Sequence, residues 1–381
     1  MPSSFDLPEP GPQAQVASRA LSELIRRRVA AAGGWLSFAD YMELALYAPG
    51  LGYYSGGARV FGAAGDFVTA PELNADFAHA LARAIAPVLR DGDTILEIGA
   101  GTGELAADLL TALAAMPGLA VRYQILERSG ELRDRQAHRL GNFDVQWLDT
   151  LPAAGLRGVI LANEVLDALP VNCFQHSAAG VAERGVTVGE AGFEWALRPA
   201  GAAVREQVSR CQASAGSPWP ADYRSEFCPS AAAWVQSLAE VLERGLLLFC
   251  DYGLPAREYY HPERSEGSLL CHYRQRAHEN PFFWPGLQDI TAWVDFTAVA
   301  GAGIDAGLEL MAYTTQAHFL LANGVLDGPP DADPLQQARR ASALRQLLLP
   351  GEMGEKFKLL ALGRGLASEP LAVGRDMRQR L

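Results

Sequence analysis

The stretch LEIGAGTGEL, Leu96 to Leu105, follows a short apolar run and precedes a run with helical periodicity. Three glycines, Gly99, Gly101 and Gly103, occupy alternate positions of the turn between them. Glycines at such a turn let a backbone come close to a bound group, and open α/β sheets hold nucleotide-type ligands over a turn of this kind. The third glycine comes one residue earlier than in the G-x-G-x-x-G dinucleotide fingerprint, so the turn alone leaves the ligand open.

Outward from this turn, short apolar strands alternate with helices: TILEI, ELAADLLTALAAM, VRYQILE, SGELRDRQAHRL, DVQWL and GVILAN. That rhythm predicts an α/β fold, a Rossmann-like parallel sheet with crossover helices. Residues 171–199 alternate apolar and polar positions around glycine turns, which predicts antiparallel strands inserted after the fourth parallel strand; residues 200–228 are poorly patterned. The sheet resumes with a helix from Ser230 and the strand GLLLFCDYG, followed by a long loop through 254–288. LELMAYTTQ, PLQQARRASALRQLLL and KFKLLALG supply the last helices and antiparallel edge strands.

Upstream of the sheet the chain reads as mainly helical. Residues 1–14, rich in proline, serine and acid, predict a disordered arm, and VASRALSELIRRRVAAAGG a helix that stops at a glycine pair. Ser37 with Asp40 forms a capping box for a second helix. In TAPELNADFAHALARAI, the residues Leu73, Phe77, Leu81 and Ile85 fall four apart on one face of a third helix. The expected organisation is therefore an N-terminal helical region over 15–90 and a Rossmann-like domain over 91–381, with insertions around 171–228 and 254–288.

Composition removes several classes of function. A chain of 381 residues that is 49% hydrophobic can bury a large core. Its net charge of −12 speaks against a nucleic-acid groove, which needs clustered cations. The one tight basic cluster, Arg26 to Arg28, reads as a solvated helix face. Five cysteines, odd in number and without a CxxC pair, suggest neither a disulfide framework nor a metal site. No run of 18 apolar residues and no secretory signal pattern is present, which leads us to expect a cytoplasmic protein without membrane insertion. The sequence leaves homodimerisation open.

Acids at successive strand ends favour one nucleotide over another. Glu97, inside the first strand end, would repel a pyrophosphate but suits the ammonium and sulfonium of S-adenosyl-L-methionine. Glu127, after the second strand, can accept both ribose hydroxyls, as it could also in a dinucleotide site. Asp149, after the third, can take an adenine amino hydrogen. At the fourth strand end, Asn163 and Glu164 would lie where the sulfonium methyl points and could orient an acceptor; the plainer alternative has Asn163 capping the next turn and Asp167 solvated.

Further motifs widen the match. GYYS (52–55), GDFVTAPEL (65–73), LEIGAGTGEL, LANEVLDALPV (161–171), DYG (251–253), PGLQDITAWVDFT (285–297) and GEMGEKFKLLAL (351–362) together resemble the MidA family of S-adenosyl-L-methionine-dependent methyltransferases, in order from about residue 17 to 364. Mitochondrial members of that family are complex I assembly factors that dimethylate an arginine. The resemblance implies a class I methyltransferase sheet with an N-terminal helical extension and an inserted substrate-recognition region. It implies that Gly99, Ala100, Gly101 and Gly103 cradle the methionine part of the donor and that Glu127 holds the ribose. NEVLDALP would line the acceptor side and GDFVTAPE would close over the donor. Thr69 and Glu72 also fit a capping box for the third helix, a role compatible with a lid.

An arginine acceptor stays protonated in water, so a carboxylate must accept its hydrogen bonds and localise a lone pair on one nitrogen. Glu164 is the first candidate, followed by Glu72, Asp66 and Asp167. The competing reading is an assembly chaperone that binds the donor but turns over poorly. A dehydrogenase ranks third.

Overall fold

The computed structural model describes residues 7–56, 69–328, 332–366 and 371–381. The chain divides into two units, one of residues 68–166, 232–253 and 296–381 and the other of residues 1–67, 167–231 and 254–295.

The first unit contains the sheet expected around the glycine turn. Its strands are β1 (Thr94–Ile98), β2 (Arg122–Leu126), β3 (Val145–Leu148), β4 (Leu156–Asn163), β5 (Leu242–Leu254), β6 (Glu309–Thr315) and β7 (Phe357–Arg364). They run β6-β7-β5-β4-β1-β2-β3 across the sheet. The five strands from β5 to β3 pair in parallel, while β7 pairs antiparallel with both β5 and β6. All five β1 residues are buried, as expected of a strand covered on both faces. The order reverses at β1, whose neighbours are β2 and β4, and ligands of open α/β sheets bind over the strand ends at such a switch point. Close strand approach also dictates composition: a Cβ on Gly158 would lie 2.1 Å from the Thr94 carbonyl oxygen, so a side chain there would break the β4–β1 pairing.

Helices cover this sheet with aliphatic side chains. Phe77, Leu81 and Ile85 of the helix Asp76–Ile85 and Leu105, Leu109 and Leu113 of the helix Glu104–Ala114 join Ile95, Ile125, Val159 and Leu161 in one core cluster. Each such side chain contributes roughly 1.5–3 kcal/mol on full burial. The third helix is not continuous as its periodicity predicts. It breaks at Asn74, whose backbone is extended, into Ala70–Leu73 and Asp76–Ile85. The Asn74 carboxamide accepts from Asp76 N at 3.0 Å and donates to the Asp76 carboxylate at 2.9 Å, a local bond that competes with helix continuation.

The second unit joins the N-terminal helices to both insertions. Helices Pro12–Ala31 and Phe38–Tyr47 contribute Leu21, Ile25, Phe38, Tyr41 and Leu46 to a cluster with Cys173, Val186, Cys271 and Ile290. Ser37 accepts from Asp40 N at 3.1 Å, the cap expected from the sequence, and Arg26 to Arg28 are exposed. The inserted strands Asn172–Ser177, Gly180–Gly189, Gly192–Pro199 and Tyr223–Phe227 pair antiparallel.

Several expected boundaries need correction. The first helix begins at Pro12, a residue suited to a first helical turn, and Leu7 and Pro10 are buried, so the arm expected over 1–14 is shorter; residues 1–6 lie outside the described residues. Residues 69–90 group with the parallel sheet rather than with the N-terminal helices. The poorly patterned stretch 200–228 contains the helix Ala202–Ala215, whose buried positions are only Val208, Cys211 and Ala215, too small a stripe to show in the sequence. The expected long loop holds strands Leu270–Tyr273 and Arg276–His278, joined at Arg274 and Gln275, which adopt φ values of 48° and 62° without the glycine that usually marks such a turn.

Candidate active site

The glycine turn closes β1 and opens the helix Glu104–Ala114. Gly99, Gly101 and Gly103 have φ values of 65°, 52° and 81°, three left-handed positions that suit glycine and strain other residues, alternating with Ala100 and Thr102. The turn is pinned by Gly99 N donating to Leu126 O and by Gly103 N donating to Ala100 O, at 3.0 and 2.8 Å. Ala100 is buried within it.

Gln136, fully buried on the helix Gly130–Arg139, ties this turn to the next strand end. Its Nε2 donates to Gly101 O at 2.9 Å and to Glu127 Oε2 at 3.2 Å, and its Oε1 accepts from Trp147 Nε1 at 2.9 Å. Glu127 is also held by Ser129 N, 2.9 Å from Oε1. Burial pushes the Glu127 carboxyl up, and the bonds from Ser129 and Gln136 pull it back toward ionisation. Sequence reading missed Gln136; its signal is a polar residue four positions after Leu132 on the buried face of that helix.

Glu97 lies beneath the turn, 2% exposed, and accepts from the Tyr123 hydroxyl at 2.8 Å. Burial raises its pKa to about 7; the Tyr123 bond opposes that shift and the nearby Glu127 adds to it. Asp149 differs from these two. Its side chain is 85% exposed and bonded to Arg133 Nη1 at 2.7 Å, an ion pair of small energetic weight.

At the end of β4, Asn163 Oδ1 is buried with no hydrogen-bond partner among the described residues, while its Nδ2 donates to Glu164 Oε1 at 3.2 Å. Glu164 has φ 54°, a conformation that costs a non-glycine residue about 1–3 kcal/mol. Its Oε1 lies 3.4 Å from Ala70 N, at the start of the short helix Ala70–Leu73. Glu72 of that helix accepts from Thr69 N at 3.2 Å, the expected capping contact, and from Thr102 Oγ1 of the glycine turn at 3.4 Å. Asn163, Glu164, Glu72 and the glycine turn thus form one bonded group. Asp167 belongs to the other unit, where it is buried and its carbonyl accepts from Ala292 N at 3.0 Å. Asp66 lies outside the described residues. Among the described residues no cluster of His, Cys, Asp and Glu could hold a metal, and no helix is long and apolar enough to cross a membrane.

Comparison with known proteins points the same way as this cradle. A family model described as "Putative S-adenosyl-L-methionine-dependent methyltransferase" matches residues 80–314. A crystal structure from Burkholderia thailandensis, described as a "likely methyl transferase" bound to S-adenosyl-homocysteine, is 45% identical, covers 99% of this chain and 100% of its own, and superposes with a TM-score of 0.91. "Protein arginine methyltransferase NDUFAF7, mitochondrial" of Danio rerio is 27% identical over 87% of this chain and 84% of its own length. The Drosophila melanogaster homologue is 27% identical over 96% and 89%. The chain therefore belongs to the MidA-like family of S-adenosyl-L-methionine-dependent methyltransferases, with a class I Rossmann-like fold and S-adenosyl-L-methionine as its cofactor.

Proposed function

We propose that this methyltransferase transfers the methyl group to arginine in a protein substrate, a subunit of a respiratory complex or a bacterial relative of one. The observation that carries the reading is the Glu164 carboxylate, held at the end of β4 in a strained backbone beside an orphaned Asn163 carbonyl. The names of the Danio and Drosophila relatives support arginine as the acceptor. The five free cysteines suit a reducing, cytoplasm-type compartment.

The residues at the strand ends fit the cofactor. The left-handed glycines admit a ligand close to the backbone, and Asn163 Oδ1 is a buried acceptor awaiting a donor. In our reading Gly99, Ala100, Gly101 and Gly103 line the methionine part, Glu97 faces its ammonium, Glu127 accepts the ribose hydroxyls and Asp149 reaches the adenine amino group by giving up Arg133. When bound, the cofactor supplies a methyl on an electrophilic sulfonium. Glu164 accepts hydrogen bonds from the guanidinium, concentrates the lone pair on the nitrogen that attacks, and takes the proton released. Glu72 fixes the short helix against Thr102 and helps to exclude water. Asp66 and Asp167 stay secondary candidates for the proton-accepting role.

The test is transfer from S-adenosyl-[methyl-³H]methionine into protein of a lysate from cells lacking the gene, followed by amino-acid analysis. Label in methylarginine is expected. Tight donor binding with no labelled protein would support the assembly chaperone instead, and label in another side chain would move the acceptor.

A further inference from the structure

The backbone of Glu164 does not hold its left-handed conformation unaided. At the neighbouring end of β5, Cys250 O accepts from Glu164 N at 2.9 Å. The next residue, Asp251, is 1% exposed, and its Oδ2 accepts from both Val165 N at 3.1 Å and Leu166 N at 2.9 Å. Its Oδ1 accepts from Tyr252 N at 2.9 Å. A buried carboxylate therefore gathers the amides of the turn that leaves β4, and bonds from N–H groups to a charged oxygen are roughly twice as strong as neutral ones. The bonds fix the residues just after Glu164, so the strain at Glu164 is stored by Asp251.

The stored conformation has a geometric result. With φ at 54°, the Glu164 carboxylate meets Asn163 Nδ2 and Ala70 N. Relaxing φ to the ordinary negative range would swing the Cα–Cβ bond and carry the carboxylate away from both. We propose that Asp251 is a positioning residue for methyl transfer: it clamps the turn Glu164–Leu166 and so aims the Glu164 carboxylate at the acceptor. The proposal rests on the reading of Glu164 given above. Asp251 touches neither donor nor acceptor in this scheme; its effect on transfer runs through the turn.

The experiment compares Asp251→Ala, Asp251→Asn, Glu164→Gln and the double variant Asp251→Ala/Glu164→Gln. Amide exchange on the free protein reads the clamp without any substrate. In Asp251→Ala, the amides of 164–166 and of Ala70 should exchange about tenfold faster or more, with β4 residues 156–162 unchanged. Asparagine keeps a neutral acceptor for the two turn amides and should restore much of the protection; if alanine does not fold, Asp251→Asn should still exchange the amides of 164–166 several-fold faster than the wild type, and exchange as slow as the wild type's overturns the clamp. In transfer of tritiated methyl to lysate protein, Glu164→Gln should lose about a hundredfold in kcat and Asp251→Ala about tenfold or more, both with donor affinity near that of the wild type. The double variant should be no slower than Glu164→Gln, because one residue works through the other. Unchanged exchange at 164–166 and Ala70 in Asp251→Ala overturns the clamp. A double variant as slow as the product of the two single losses overturns action through Glu164. Full transfer by Glu164→Gln overturns the reading of Glu164, and with it any part for Asp251 in transfer, while the exchange result still stands on its own.

Discussion

Glu97 gives a pH signature that can be worked from its surroundings. It is buried beneath the glycine turn with the Tyr123 hydroxyl as its bonded neighbour, and its pKa rises from 4.5 to about 7. In the unfolded chain the same carboxyl ionises near 4.5, so between pH 4.5 and 7 the unfolded state sheds a proton that the folded state keeps. Folding stability from this group is therefore complete below pH 4.5, is lost progressively up to pH 7, and is flat above. At 1.36 kcal/mol per unit, the loss is about 3 kcal/mol. Glu97→Gln keeps an acceptor for Tyr123 and cannot ionise. Urea unfolding of both proteins from pH 4 to 8 should show the variant gaining on the wild type by about 3 kcal/mol across pH 4.5–7 and holding that lead to pH 8. The difference cancels the acids far from Glu97, which titrate alike in both; Glu127, which interacts with Glu97, adds a smaller change of its own. Donor binding supplies the second half. If the donor ammonium lies against Glu97, binding ionises it, so donor affinity should rise up to about tenfold per pH unit below 7 and level off above. A pH-independent stability difference would refute the buried, neutral Glu97. A pH-dependent difference with pH-independent donor affinity would keep the burial and remove the ammonium from beside it.

Other perturbations separate the parts of the site. Gly101→Val should abolish donor binding by calorimetry, because a side chain there fills the space the methionine part needs; φ 52° at that position is strained for a β-branched residue, so the variant should also lose some stability while keeping its fold by circular dichroism. Glu127→Ala should weaken the donor by about 1–3 kcal/mol, the cost of leaving ribose hydroxyls unpaired; loss of transfer at normal donor affinity would displace Glu127 from the ribose. Gln136→Leu should destabilise the protein by about 1–3 kcal/mol in all, read from urea midpoints, since the partly buried Gly101 O and Trp147 Nε1 lose their partner but keep some access to water, and it should weaken the donor through Glu127.

The parallel sheet was legible because its strands are buried on both faces and so appear as continuous apolar runs: TILEI, GVILAN and LLLFC need no alternation to be recognised. The broken third helix was not, because Leu73, Phe77, Leu81 and Ile85 keep a four-residue spacing across the break. Periodicity reports which face is apolar, whereas the break is set by the side-chain bonds of Asn74 to Asp76. The two units were hidden for a different reason: they interleave along the chain, with segments from three regions of sequence in each, and composition shifts only mark where a chain changes rhythm.

At the site, the residues that we propose to face a ligand are easier to find in the sequence than those that hold them in place. Glycines and acids at strand ends carry their chemistry in their identity, so Gly99 to Gly103, Glu97, Glu127 and Glu164 could be singled out from the sequence. Gln136 could not, and Asp251 stands out only inside the DYG motif with no role attached, since their work consists of bonds to Gly101, Glu127, Val165 and Leu166, residues that lie 9 to 86 positions away. The same logic separates the two kinds of carboxylate in this enzyme. Asp251 is bonded to at least three backbone amides, which anchor it, whereas the Glu164 carboxylate meets Ala70 N and the Asn163 carboxamide at 3.4 and 3.2 Å, at the strand end where our reading brings in the guanidinium. If Glu164 changes partners during transfer, as we propose, its position has to be kept by its backbone while its oxygens turn to the guanidinium, and the strained turn after β4, bonded to Asp251, is the part of the chain that would keep it.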